Sequence, residues 1–206
     1  MLIAERLLLI ACDPVSGEAL WPREQPHPDI VIAGAIAAEL VIQDRLSLKN
    51  GLFAADLRIP TGHPLLKAVL HSLHEERFDG LALLRAIASR MSPLRPRILD
   101  GLFRRDILHR VAKRDFLLRQ KVRYPVRSMQ ARNEAVDALH TAANGNHDMN
   151  GLALLFLTEA AGLLTITLKA KEHEEAEKRI LVLNDVTSHS SETLRGLAHI
   201  RAALLS

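Results

Sequence analysis

Ile30 to Gln43 reads IVIAGAIAAELVIQ, and Glu39 is the single charged residue in it. Small and apolar side chains occupy almost every position, so a helix here is hydrophobic on most faces and belongs at the centre of a fold. Pro28 sits where a first helical turn tolerates proline, and Asp29 beside it suits the positive end of the helix dipole.

Upstream, Trp21 to Pro28 is broken by Pro22, Pro26 and Pro28. Asp13-Pro14-Val15-Ser16-Gly17 reads as a turn, and Leu2 to Ala11 as a helix. Downstream, Asn50-Gly51 inside Leu46 to Arg58 signals a hairpin. Thr61 is placed to cap a helix from Pro64 to about Glu76, and Asp79 to cap another to about Met91. After Ser92-Pro93, the apolar residues Leu102, Phe103, Ile107, Leu108 and Val111 recur at helical spacing. A short basic hairpin or strand follows, Leu117 to Val126. Ser128 caps a helix to about Asn144, with Gly145 as its stop. Three further helices are expected: Met149 to Gly162, Thr167 to Leu183 and Glu192 to Leu205.

Composition agrees with this reading. The chain has 206 residues, of which 48% are hydrophobic, 25% charged and only 3% aromatic. That mix favours helix over a β-sandwich and supplies enough apolar residues for a core without cross-links. The expectation is a mainly α protein: a single helical domain over residues 1–206, built around a central, mostly buried helix bundle, with small β hairpins.

One cysteine, Cys12, excludes a disulfide framework and a multi-cysteine metal site, and burial as an inert thiol is expected. Leu7 to Ala11 is too short an apolar core for a signal peptide, since Glu5 and Arg6 interrupt the N-terminal run. Met149 to Leu168 is long enough to span a bilayer, but Glu159 at its middle argues for a buried helix that breaks near Gly162. A cytoplasmic protein, at most peripheral at a membrane's cytoplasmic face, is expected. Glu39 and Glu159 lie within apolar helices, where each needs a partner such as an arginine. Phosphate-cradling, nucleophile-elbow and zinc-protease motifs are absent, so no enzyme and no cofactor are expected. His71 and His74 lack the further ligands a metal requires.

Charge is distributed unevenly. The formal net charge is +3, yet Arg95 to Arg127 alone carries +8, leaving −5 for the remainder. Such asymmetry suits an anionic partner.

Several strings resemble the Golgi phosphoprotein 3 family, in the family's order. They are AERLLLI (Ala4 to Ile10), the lone Trp21, AGAIAAELVIQDRL (Ala33 to Leu46), PTGHPLL (Pro60 to Leu66), LFRRDILHRVAKRDFL (Leu102 to Leu117) and RYPV (Arg123 to Val126). The resemblance implies a helical, non-enzymatic peripheral adaptor that binds phosphatidylinositol 4-phosphate or another anionic headgroup and holds client protein tails. By the family's pattern Trp21 and Arg104 would contact the headgroup. The two other family bases fall at Ala33 and Gly101, so the headgroup site is degenerate. Arg23, Arg97 and Arg105 are the candidate substitutes, and Asp100 is a competing partner for Arg104 one helical turn away. The hairpin after the Arg-rich helix is expected to have little apolar tip. Two other readings of the residues remain: a lipid-independent scaffold, and a winged-helix-like binder of nucleic acid.

Overall fold

A computed structural model of the chain describes residues 1–22, 27–58, 60–114, 120–145 and 148–206. The central element is α2 (Pro28–Ile42), preceded by α1 (Ile3–Ile10). Ten of the fifteen residues of α2 are buried, and α1 packs along it. His27 caps α2 by accepting from the Asp29 backbone N–H, with Pro28 in the first turn as expected. Two antiparallel strands follow, β1 (Leu46–Lys49) and β2 (Leu52–Ala55). Their two-residue turn puts both Asn50 and Gly51 at positive φ (52° and 76°), as the Asn-Gly signal implies.

Next come α3 (Pro64–Leu73), β3 (Arg77–Phe78), α4 (Gly80–Arg90) and α5 (Leu94–Arg104). β3 extends the first hairpin to a three-stranded sheet in the order β1-β2-β3, an addition too short to leave a periodic signal. Asp79 caps α4 as expected, its Oδ1 accepting from Ala82 N–H at 2.7 Å. At α3 the cap is His63 rather than Thr61, because His63 Nδ1 lies 3.2 Å from Leu65 N while the Thr61 hydroxyl donates to the His63 carbonyl. α3 also stops three residues before Glu76.

The basic region departs most from expectation. The helix ends at Arg104, and the hairpin is built from β4 (Val111–Arg114) and β5 (Gln120–Arg123) rather than beginning at Leu117. The expectation that the hairpin has little apolar tip concerns residues 115–119, which lie outside the described residues.

The chain closes with α6 (Met129–Ala143), α7 (Met149–Ala160), α8 (Leu164–Thr167), α9 (Ala170–Leu181) and α10 (Glu192–Leu205). Ser128 caps α6, and Gly162 at φ 67° ends the apolar run after α7, both as read from the sequence. The expected Thr167–Leu183 helix is α9, which starts only at Ala170 because Leu168 and Lys169 are extended; Thr167 ends α8. α1, α4, α5, α7 and α10 all pack on α2 around one contiguous core. Close approach is possible because Gly34 of α2 lies under Leu204 and Leu157, while Gly196 of α10 lies against Val41.

The two carboxylates in apolar helices find different partners. Glu159 forms a bidentate pair with Arg201, two bonds of 3.1 Å, as anticipated. Glu39 has no arginine among the described residues. It accepts from the Ile3 backbone N–H at 2.8 Å and from Gln43, so it satisfies the open N-terminus of α1 instead. Among the described residues, no helix is long and apolar enough to cross a membrane.

Candidate anionic-headgroup site

The site begins with the turn after α1. Asp13 Oδ1 accepts from the backbone N–H of Val15 (3.1 Å) and Ser16 (2.6 Å), a local pairing that closes a tight loop. Those bonds also hold the Asp13 carboxyl below its usual pKa, the Ser16 backbone contributing most. Gly17 then adopts φ 69° and presses against Tyr124 and Pro125, where a Cβ would come within 2.4 Å of the Pro125 nitrogen. Val126 N–H donates to Pro14 O at 2.9 Å, and His109 N–H to Pro125 O at 2.8 Å. The turn, the base of the β4–β5 hairpin and the segment after α5 are thus tied together.

These ties enclose a pocket of about 380 Å³ lined by Cys12, Gly17, Arg95, Leu99, Asp100, Arg110 and Tyr124, among others. Tyr124 OH donates to Asp100 Oδ1 at 3.0 Å, so the carboxylate expected to answer Arg104 is engaged elsewhere. Burial and the Asp100 charge both raise the Tyr124 pKa, keeping the phenol protonated. Cys12 Sγ lies 3.4 Å from Tyr124 O. Burial pushes its thiol pKa up, against the opposing pull of Arg95, which fits the expected inert, buried cysteine.

Arg95 is the member that stands out. It is half-buried, and its Nε is shut away from solvent without a hydrogen-bond partner. The Nε atoms of Arg45, Arg123 and Arg132 are in the same state, and of these four arginines Arg95 is the one that lines this pocket. Arg110 is exposed at the same pocket. Three other cations of the basic stretch are answered by carboxylates: Arg105 by Glu5, Arg123 by Glu18 and Arg127 by Asp106. Among the described residues no ion pair engages Arg95, Arg97, Arg104 or Arg110. Exposed apolar side chains lie among these cations: Phe103 and Val111 in sequence beside them, and Val15 on the turn, 84% exposed.

The residues singled out from the sequence are not brought to one spot by any hydrogen bond or ion pair among the described residues. Trp21 is half-buried against the core, and its indole Nε1 is buried and unpartnered. Arg104 is exposed on the last turn of α5. Arg97 is exposed, with a 3.4 Å bond to the Met91 carbonyl. Arg105 donates to the Gly101 carbonyl as well as pairing with buried Glu5. Arg23 lies outside the described residues. The convergence of Arg95, Arg110 and Tyr124 was missed. Each belongs to the basic stretch, but only the Asp13–Gly17 turn packed on the hairpin base closes the pocket.

A mainly helical protein with one strongly basic stretch and an arginine-lined pocket defines the class. The chain belongs to the Golgi phosphoprotein 3 (GPP34) family, whose model matches residues 3–199. That family is known for lipid binding. No curated protein matches the chain. Among the described residues, no group of three or more His, Cys, Asp or Glu side chains could hold a metal ion.

Proposed function

We propose that this protein is a non-enzymatic peripheral adaptor whose single domain, residues 1–206, docks electrostatically on anionic phospholipid at the cytoplasmic face of a membrane. Phosphatidylinositol 4-phosphate is one acceptable headgroup among several, because the family's bases at Ala33 and Gly101 are missing. Client protein tails are carried from that surface. The observation behind the reading is the half-buried Arg95 guanidinium, with no acceptor for its buried Nε, next to exposed Arg110. A headgroup phosphate entering the pocket pairs with the Arg95 and Arg110 guanidiniums, while Arg104, Arg97 and Trp21 meet the lipid surface outside it. Each cation near an anionic leaflet contributes about 1 kcal/mol, or roughly fivefold in affinity.

Co-sedimentation with vesicles of phosphatidylcholine plus anionic lipid tests this. Arg110→Ala and Arg104→Ala should each weaken binding by about fivefold, and Arg95→Gln by at least as much. Arg85→Ala, on the exposed face of α4 outside the basic stretch, should leave it unchanged. Equal losses for Arg85 and Arg104 would reduce the site to diffuse surface charge. Absence of binding to any anionic vesicle at low salt, or stronger binding to duplex DNA run in parallel, would refute the lipid reading.

A further inference from the structure

We propose that the cleft between the β1–β2 turn and α10 binds a short extended peptide in which apolar and acidic residues alternate. The cleft encloses about 790 Å³, in the upper range for ligand sites, and lies apart from the basic stretch. One wall is a stripe along α10 running from Glu192 through Arg195 and His199 to Ala202. Ten residues of helix rise about 15 Å, the length of an extended peptide of four to five residues.

The opposite wall is the end of β1. Lys49 and Leu52 flank the two-residue turn and form the hydrogen-bonded pair, so the backbone N–H and C=O of Leu48 point away from β2. Leu48 lines the cleft, and among the described residues no backbone bond beyond the hairpin engages it. An extended chain pairs with such an edge. Leu48 and Val186 give the floor its apolar side chains, which favours an alternating occupant.

Charge sets the partner. Lys49 is exposed and free of ion pairs among the described residues. Arg195 spends one guanidinium bond on the Ser188 carbonyl at 2.8 Å and offers the others. His199 donates through Nδ1 to the Arg195 carbonyl at 3.0 Å, leaving Nε2 to a ligand. These groups stand in the part of the chain whose net charge is −5, so the positive character of the cleft is local. Glu192 is the opposing charge, at one end of the stripe, and places the acidic residues of the occupant toward Arg195 and Lys49.

The probe is acetyl-Leu-Asp-Val-Asp-Leu-amide titrated into the full-length, isotope-labelled chain and followed by amide chemical shifts. Saturable shifts are expected at Gly51, Ala198 and Ala202. Lys49→Glu and Ala202→Glu should each weaken binding by about tenfold or more, equivalent to about 1.4 kcal/mol. Both positions are exposed, so both variants should fold and keep their anionic-vesicle binding. The counterpart acetyl-Leu-Lys-Val-Lys-Leu-amide should not bind. Equal binding of the two peptides, unchanged affinity in both variants, or no shift at those amides would overturn the proposal. So would shifts there with anionic vesicles but not with peptide, which would assign the cleft to the membrane-facing surface.

Discussion

Glu5 and Arg105 show how one residue's neighbourhood decides its meaning. In sequence Glu5 is a charge interrupting an apolar run, and Arg105 is one of eleven cations between Arg95 and Arg127. In the fold, the Glu5 side chain is 4% exposed, accepts from the Leu2 backbone N–H at 3.0 Å and is joined to Arg105. Removing one partner of such a pair strands the other, a penalty of several kcal/mol when both are buried. Arg105 is 46% exposed, so water recovers part of that loss. Arg105→Ala should therefore lower stability by about 2 kcal/mol, while its neighbour Arg104→Ala should change it by less than about 0.5 kcal/mol. Urea unfolding of the two variants separates them: equal stabilities would mean that the Glu5 pair contributes nothing. Binding assays on Arg105 variants need the same melts, since a destabilised fold imitates a lost contact.

The element that misled was α5. Its apolar spacing continues through Ile107, Leu108 and Val111, so the periodicity gives no end at Arg104. The end is made by the backbone instead. Ile107 N–H donates to the Leu102 carbonyl and Asp106 N–H to the Phe103 carbonyl, the paired bonds of a Schellman stop. Asp106 occupies the left-handed position at φ 60°, where glycine is the usual signal. Elements that carry their own punctuation were legible: Pro28 at the start of α2, Asn50-Gly51 in the hairpin, and Asp79 and Ser128 as caps. Asp106→Gly should relieve the left-handed backbone and raise stability by up to about 1 kcal/mol, less the exposed Arg127 pair it removes. Gly17→Ala should do the reverse by about 2 kcal/mol or more, since the new methyl must adopt positive φ and enter the Tyr124–Pro125 backbone. A Gly17→Ala protein as stable as the parent in thermal melts would show that the turn does not clamp the hairpin base.

At the scale of the whole molecule, the charge imbalance was legible and the pocket was not. Counting residues reveals +8 against −5, but Cys12 and Tyr124 are 112 positions apart, and nothing local announces that they meet. The resemblance pointed to Arg104 and Trp21; Arg95 is, among the described residues, one of four arginines with a buried, unpartnered Nε, and only the folded pocket sets it apart from Arg45, Arg123 and Arg132. The arrangement also separates two contributions to membrane affinity. The cations act through a field that is screened over about 10 Å at 0.1 M salt and about 3 Å at 1 M. The exposed side chains of Val15, Phe103 and Val111 act by burial, which salt does not screen. Binding to anionic vesicles should therefore fall by at least about tenfold between 0.05 and 0.5 M salt and leave a weak residue. Val15→Ser should lower that salt-insensitive remainder and change the low-salt affinity by less than about threefold, because a valine side chain buried only in part contributes well below the roughly 1.5–3 kcal/mol of full burial. Affinity that ignores salt would make the hydrophobic contact dominant and the basic face incidental. A Val15→Ser protein that loses binding equally at every salt concentration would place the turn itself inside the headgroup contact.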